Sequence, residues 1–399
     1  MPAFAFDGRF LARAIGLLVL LTLGGCASTR ACEAGLSASP QYEAEGCRFR
    51  NPANPEAKPS QEGWRIWSRF FFGKKEGTVP VDAIPVRPLT QARLAALPAD
   101  ANHIVRLGHS SHLLKLQGRY WLIDPVFGER VSPFSFMGPK RFHAPPLALA
   151  ELPPIEGLVL SHDHYDHLDV PTIEYLKDRV QRYFVPLGVG RRLVEMGVAP
   201  ERIAEFDWWQ AGTHAGVQLT ATPSQHFSGR GLWDRDATLW SSWVLEAGGQ
   251  RIYYSGDSGY FGGFAQIGAR FGGFDVALME NGAYDAWWPS VHMTPAETVR
   301  AFEDLRGKTL VQRAQQHLRP GLPPLAGAAG RTRGAGPGPG HRPGHARDRR
   351  GAHGGCAAAE PVVVGGVAVA APRRKGPRVA EYHDGASVSW EGHRQPFRG

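Results

Sequence analysis

At 399 residues the chain is long enough for one large domain or two modest ones, and its 43% hydrophobic content excludes wholesale disorder. No strict three- or seven-residue period runs through it, which excludes collagen-like and coiled-coil architectures. The net charge of +8 is confined to one end: residues 313–399 hold 14 Lys and Arg against 5 Asp and Glu, a net +9, while the first 312 residues hold 31 against 32, a net −1. A nucleic-acid partner would have to rest on that basic end, which has neither interleaved aromatics nor a recognisable fold, so none is expected.

Residues 1–26 read as an export signal. Arg9 and Arg13 precede the apolar run Ala14–Leu23, too short to span a bilayer comfortably, and the run ends in Leu23-Gly24-Gly25-Cys26. Small residues before a cysteine resemble a bacterial lipobox, in which the cysteine is lipidated. Cys26 is therefore the expected attachment site, and Ala27 after it resembles the signal for outer-membrane sorting. The expected location is the bacterial cell envelope, lipid-anchored at the outer membrane and facing the periplasm. In that oxidising space a bridge between Cys32 and Cys47 is open to formation, although nothing in the sequence fixes the pairing. Residues 27–80, rich in Pro, Ala, Glu and Gly, read as a tether and N-terminal wrap, with Trp64, Trp67 and Phe70–Phe72 expected to dock on the domain of residues 81–312.

The chemistry-bearing residues lie between His103 and His292. Gly157-Leu-Val-Leu-Ser161 is a short apolar run of the kind that forms a buried strand. It is followed at once by His162-Asp163-His164-Tyr165-Asp166-His167. Asp169 and Pro171 then start a helical pattern through Ile173, Leu176 and Val180. Histidines and aspartates thus share one strand-to-helix loop, and imidazole and carboxylate are donors that suit Zn²⁺, Mn²⁺ or Fe. From an extended stretch His162 and His164 can address one ion, while Asp166 and His167 reach a second on the turn beyond. A lone histidine is more often a satisfied core or surface residue; the cluster directly after an apolar strand is what points to metal. Further on, His226 follows the strand and turn of Thr220–Ser224, and Asp257 sits in a Gly-flanked turn after the strand-like Arg251–Tyr254. His292 precedes the helix start Thr294-Pro295-Ala296-Glu297.

These pieces, with Leu107-Gly-His-Ser-Ser-His112, Leu122-Ile-Asp-Pro-Val-Phe127 and Ser132-Pro-Phe-Ser-Phe-Met-Gly-Pro-Lys-Arg141, resemble the metallo-β-lactamase superfamily. They are most similar to the branch that includes N-acylphosphatidylethanolamine-hydrolysing phospholipase D and its bacterial relatives, in unbroken order from about Pro80 to Leu310. The resemblance implies an α+β fold, a four-layer αβ/βα sandwich. It implies two divalent metal ions, Zn²⁺ first with Mn²⁺ or Fe as alternatives. One would be held by His162, His164 and His226; the other would take Asp166 and His167, with Asp257 bridging the two. Such a pair lowers the pKa of a shared water, produces hydroxide near neutral pH and polarises a phosphoryl or carbonyl oxygen. Asp166 would orient that hydroxide, and His292 would stabilise developing charge or assist proton transfer. His109 and His112 are as readily supporting or structural residues as catalytic ones. The implied reaction is hydrolysis of a phosphodiester, of phospholipase D type on N-acylphosphatidylethanolamine-like phospholipids reached through the lipid anchor. Lactone opening or cleavage of another phosphoester is the alternative, since the motif sets the metal centre and not the bond. Trp208, Trp209, Trp233, Trp240 and Trp243 are expected mainly in packing, and Trp287-Trp288, beside a site loop, as lining for an acyl chain.

After Val311 the composition changes abruptly, with 17 Gly and 10 Pro among residues 313–399. Periodicity disappears there, so this stretch is expected to be disordered. The family pattern calls here for a last strand, a final histidine ligand and a closing helix, and the written residues hold none of them. The expected cause is one extra base near codon 312, so that everything after it is read out of frame. G+C-rich codons can be chosen for Arg313–Leu325 that, read one base later, spell Val-His-Asn-Ser-Thr-Phe, with the histidine at the position of Ala314. The alternative is a genuine disordered tail. As written, the second ion lacks a ligand for which His317 is an unsupported substitute, so low occupancy and weak activity are expected. In the extreme the chain is an envelope lipoprotein with an impaired site.

Overall fold

The computed structural model describes Cys32 and residues 35–51, 86–132, 136, 138–231, 233–281 and 290–312, together with the backbone of 313–314, 367–368 and 378–379. Cys26, Trp64, Trp67, Phe70–Phe72, Trp287, Trp288 and His317 lie outside the described residues. In chain order, strands β1 (Tyr42–Glu43) and β2 (Arg48–Phe49) form a clip, followed by helix α1 (Gln91–Ala95). A meander of β3 (His103–Gly108), β4 (Ser111–Leu116) and β5 (Arg119–Ile123) runs into β6 (Ile155–Val159), α2 (Val170–Leu176), β7 (Val180–Pro186), α3 (Val189–Glu195) and β8 (Ile203–Phe206). A second meander comprises β9 (Ala211–His214), β10 (Val217–Thr222), β11 (Ser242–Ala247) and β12 (Gln250–Tyr254). It continues into α4 (Gly263–Phe271), β13 (Phe274–Asn281), α5 (Pro295–Asp304) and β14 (Gly307–Ala314). The two-residue strands β15 (Val367–Ala368) and β16 (Arg378–Val379) add one edge to each sheet.

Both seven-stranded sheets follow one plan. The first has the order β15-β3-β4-β5-β6-β7-β8, antiparallel up to β5 and parallel beyond it. The second has the order β16-β14-β13-β12-β11-β10-β9, antiparallel from β9 to β12 and parallel beyond. Alternation along the strands builds the layers. In β11, Trp243, Leu245 and Ala247 face the gap between the sheets, where they meet Trp121, Ile123 and Phe184 of the first sheet. Val244, between them in sequence, joins Phe264, Ile267 and Phe302 of α4 and α5 on the outer face. The opposite outer face is covered by Leu94 of α1, Ile173 and Leu176 of α2 and Leu193 of α3. The result is the expected α+β sandwich of four layers, with the loops after β5, β6, β10, β12 and β13 supplying one common edge.

Several local expectations hold. The run around Gly157 is β6, and the Thr294-Pro295-x-Glu297 start is a reciprocal cap of α5: Thr294 Oγ1 accepts the Glu297 N–H, and Glu297 Oε2 accepts the Thr294 N–H at 2.8 Å. Val180, placed by spacing on the helix after Asp169, is instead the buried first residue of β7. A turn closed by Arg179 N–H onto Leu176 O ends the helix before it. The last strand expected to be absent is present, since β14 runs to Ala314 in parallel register with β13, from Phe274 opposite Gly307 to Asn281 opposite Ala314. An extended apolar Leu310-Val311 beside an existing strand pairs whatever follows it. Trp208, Trp240 and Trp243 are core residues, whereas Trp233 is exposed.

Cys32 and Cys47 form a disulfide. The clip it closes packs Leu36 and Phe49 against Trp208, Leu239 and Trp240. Just after the clip, Asn51 donates to the backbone carbonyl of His226 and accepts from the Trp240 indole N–H.

Candidate metal centre

The strand-to-helix loop after β6 is fixed from behind before any ligand is considered. Asp163 points away from its histidine neighbours, accepts the Gly229 N–H at 2.8 Å and faces the Arg192 guanidinium. Arg230 donates to the carbonyls of Asp163 and Leu168, the two ends of the loop, while stacking on Tyr165. Asp169 begins α2 as expected, but its carboxylate accepts from the Phe127 and Gly128 N–H groups and the Thr172 hydroxyl instead of from a backbone N–H of its own helix.

Proton bookkeeping shows what the histidines present to one another. The single proton of the Ser161 hydroxyl goes to Asp124 Oδ2, so the His162 Nδ1 at 2.9 Å from that oxygen must donate to it and its Nε2 is bare. His226 Nδ1 donates to the Val291 carbonyl at 3.1 Å, which leaves its Nε2 bare as well. Both bare nitrogens face His164 Nδ1, at 2.8 and 3.3 Å. His162 and His226 are buried, and burial followed by the neighbouring imidazoles holds His162 well below the ordinary imidazole range; burial does the same for His226. Two neutral imidazoles whose bare nitrogens converge with a third ring nitrogen make a place that a cation fits.

The second pocket adjoins the first. His167 donates Nδ1–H to Asp124 at 2.6 Å, and its Nε2 lies 3.2 Å from Asp257 Oδ2. Burial opposes charge on His167, but Asp257, Asp124 and Asp166 outweigh it and hold the ring well above its usual range. The carboxylates around this ring call for positive charge, which either a proton on His167 or a cation in the proton's place supplies. Donor atoms of His162, His167 and Asp257, and of His226, Asp257 and His292, lie within 4.8 Å of one another, so Asp257 stands between the two pockets. Every expected ligand is brought to this edge.

The remaining predicted residues divide. His109 is at the centre: its Nε2 is 3.2 Å from Asp166 Oδ2, and its donor atom groups with those of Asp166 and His167. It occupies the β3–β4 turn beside a bulge, with φ of 40° in the left-handed region, where a branched or bulky residue is strained. Among the described residues His112 joins no ligand group; it is buried on β4, donates Nδ1–H to Ser110 O and packs edge-on to Tyr254. His292 lies beside His226 and donates Nδ1–H to Glu280 Oε1 at 2.5 Å. Burial lowers its proton affinity, and Glu280 more than reverses that, so the ring sits above its usual range.

Two residues of the site had no role in the sequence reading. Asp124, fully buried and also at φ 40°, collects the Ser161 N–H, the Ser161 hydroxyl, His167 Nδ1–H and the Tyr254 hydroxyl. Its signal was an acid placed directly after the apolar strand Trp121-Leu-Ile123. Glu280 ends the apolar β13 in the same way.

A family model described as "Beta-lactamase superfamily domain" matches residues 119–312. An uncharacterized protein of Mycobacterium tuberculosis is 44% identical over 244 residues, 61% of this chain and 63% of its own length. N-acyl-phosphatidylethanolamine-hydrolyzing phospholipase D 1 of Caenorhabditis elegans is 36% identical over 218 residues, 51% of this chain and 61% of its own. Outer membrane protein RomA of Klebsiella pneumoniae is 50% identical over 99 residues, 24% of this chain and 74% of its own. The first two matches therefore span less than two thirds of those relatives. With the two-sheet sandwich and the histidine–aspartate edge, they place the chain in the metallo-β-lactamase superfamily. Within it, the chain belongs to the branch that resembles the N-acylphosphatidylethanolamine-hydrolysing phospholipases D.

Proposed function

We propose that the protein is a metal-dependent hydrolase that cleaves a phosphodiester, in a phospholipase D-type reaction on N-acylphosphatidylethanolamine-like phospholipids. The observation that carries the hydrolase reading is the convergence of His162 Nε2, His164 Nδ1 and His226 Nε2, two of them stripped of protons by Ser161 and Val291. The choice of bond is supported by the relatives whose names carry that phospholipase activity. Two divalent ions, Zn²⁺ first, would be held by His162, His164 and His226 and by Asp166 and His167, with Asp257 between them; when bound, they supply Lewis acidity and an acidified water.

The chain's own residues do the rest. The Asp166 side chain is 31% exposed, so it faces the side from which water arrives. Burial opposes its ionisation, but His167 and His109 beside it keep the carboxyl well below the usual carboxylate range, and it stays an acceptor for the attacking water. His109 holds it in place. His292, with Nδ1 committed to Glu280, offers its other nitrogen toward the His226–Asp257 side, where it stabilises developing charge or protonates the leaving oxygen.

Attachment through Cys26 at the outer membrane, facing the periplasm, completes the proposal. The Cys32–Cys47 bridge and the RomA likeness support an oxidising envelope compartment. Residues 313–399 are read as an out-of-frame stretch, supported by the end of the family match at residue 312. The test is a panel of phosphodiesters, phospholipids and lactones on the protein with its frame restored after codon 312, with and without Zn²⁺ or Mn²⁺, and His164→Ala as the blank. Activity that survives His164→Ala and chelation refutes the metal reading. Turnover of lactones alone moves the protein to the alternative bond.

A further inference from the structure

Glu280 is fully buried at the C-terminal end of β13, next to Leu278 and Met279, which are plain core. Nothing about ending a parallel strand asks for a carboxylate in such a place, and an ionised one is costly there unless its lone pairs are engaged. Its oxygens are engaged by two separate parts of the site. Oε1 accepts His292 Nδ1–H at 2.5 Å, and Oε2 accepts the Ser258 N–H at 2.7 Å. Its own N–H goes to Ser255 Oγ at 2.9 Å, so the residue grips both ends of the Ser255–Ser258 turn that carries Asp257. Its carbonyl accepts the Thr298 hydroxyl at 2.9 Å, which fixes it against α5, the helix that follows His292.

We propose that Glu280 is a positioning residue that sets the tautomer and orientation of His292 and joins that ring rigidly to the turn carrying Asp257. A neutral imidazole can place its proton on either nitrogen. A carboxylate only accepts, so Glu280 obliges Nδ1 to carry the hydrogen and leaves Nε2 as the working nitrogen. Because the same carboxylate holds Ser258, the distance between His292 and the Asp257 turn is set by one rigid group. His292 itself is half-buried on the loop before α5, and Glu280 is the side chain that its Nδ1 meets. Only the catalytic consequence rests on the hydrolase reading; the placement of the proton does not.

The experiment has two arms. In the first, imidazole ¹⁵N spectra of the full chain are recorded with zinc and after chelation, with His292 assigned by the signals missing in His292→Gln. The expected wild-type state has Nδ1 protonated, with its proton strongly downfield. In Glu280→Gln, whose amide cannot accept from both His292 and Ser258, that resonance moves upfield by more than about 1 ppm. A wild-type His292 protonated on Nε2 alone, or a resonance unmoved in Glu280→Gln, overturns the proposal. The wild-type half of this arm decides even if the variant fails to fold.

In the second arm, zinc-saturated protein is assayed with bis(4-nitrophenyl) phosphate. Glu280→Gln is expected to lower kcat about ten- to a hundredfold with KM nearly unchanged. The double variant with His292→Gln is expected to be no slower than His292→Gln alone. A double variant slowed by the product of the two single effects overturns a role exerted through His292. Absence of turnover by the frame-restored protein, assayed alongside, counts against the hydrolase reading and leaves the spectroscopic arm to decide on Glu280.

Discussion

The two ligand pockets share an edge but are built on different electrostatics. The His162–His164–His226 nest consists of imidazoles that burial keeps neutral, and its rings pack on one another and on Phe227 much as an aromatic cluster would. The Asp166–His167–Asp257 pocket gathers carboxylates around one imidazole, with Asp124 behind it. The first can fold as core without an ion. The second leaves negative charge that either a proton on His167 or a divalent cation must offset. Their flanks differ too: the nest is backed by the disulfide-closed clip through Asn51, whereas the pocket lies on the same edge as the end of β14, where the sequence changes character. A metal centre of this kind is therefore not equally tolerant of damage on its two sides.

The sharpest break is His164→Ala. It removes the nitrogen on which the other two converge, so metal analysis should find the nest empty and phosphodiester hydrolysis should fall to background. An unchanged metal content would remove the nest from the chemistry. Next is Asp124→Asn, which takes the negative charge from behind His167. Chelator-competition titrations should show the second ion weakened about ten- to a hundredfold and the first almost untouched; equal losses at both would end the distinction drawn between the pockets.

Ala314→His tests the weak flank directly. The backbone at 314 pairs with Asn281, one residue beyond Glu280. A donor added there is expected to raise second-ion affinity by roughly tenfold or more, by analogy with what ligand-supporting groups contribute. No change in the titration would exclude position 314 from the site. The smallest effect is expected for the strong flank. Replacing Cys32 and Cys47 by Ser opens a loop with a sequence separation of 15. That costs about 3 kcal/mol in the loop-entropy view, or roughly 6–12 °C in Tm for a domain of this size, with metal stoichiometry unchanged. Loss of the first ion on reduction would show that the clip builds the nest instead of merely backing it.

The legible part of the centre was its local part. His162, His164, Asp166 and His167 sit in six consecutive residues after an apolar run, so their convergence follows from a single loop. His226, Asp257 and His292 were readable through the resemblance, each at the end of a strand or before a capped helix, where ligands gather at a sandwich edge. Asp124 and Glu280 were not. Each looks like a polar residue terminating a strand, and only the pairing of distant strands shows that one holds His167 and the other His292. Asn51 was hidden for the same reason, since it meets His226 across 175 residues of chain. His109 and His112 sit three residues apart in one motif, and a bulge with a left-handed φ turns the first toward Asp166 while the second stays in the sheet.

By itself, then, the sequence determined the donor types, the family, the strand-ending positions of the ligands and the break in composition near residue 312. These are properties of local order along the chain, where residue type and spacing carry the chemistry. Only the tertiary structure decided which nitrogen each histidine presents, because tautomers are set by hydrogen-bond partners brought in from other strands. It also decided that the chain continues as β14 through Ala314, because a parallel neighbour fixes an extended backbone regardless of which side chains it carries.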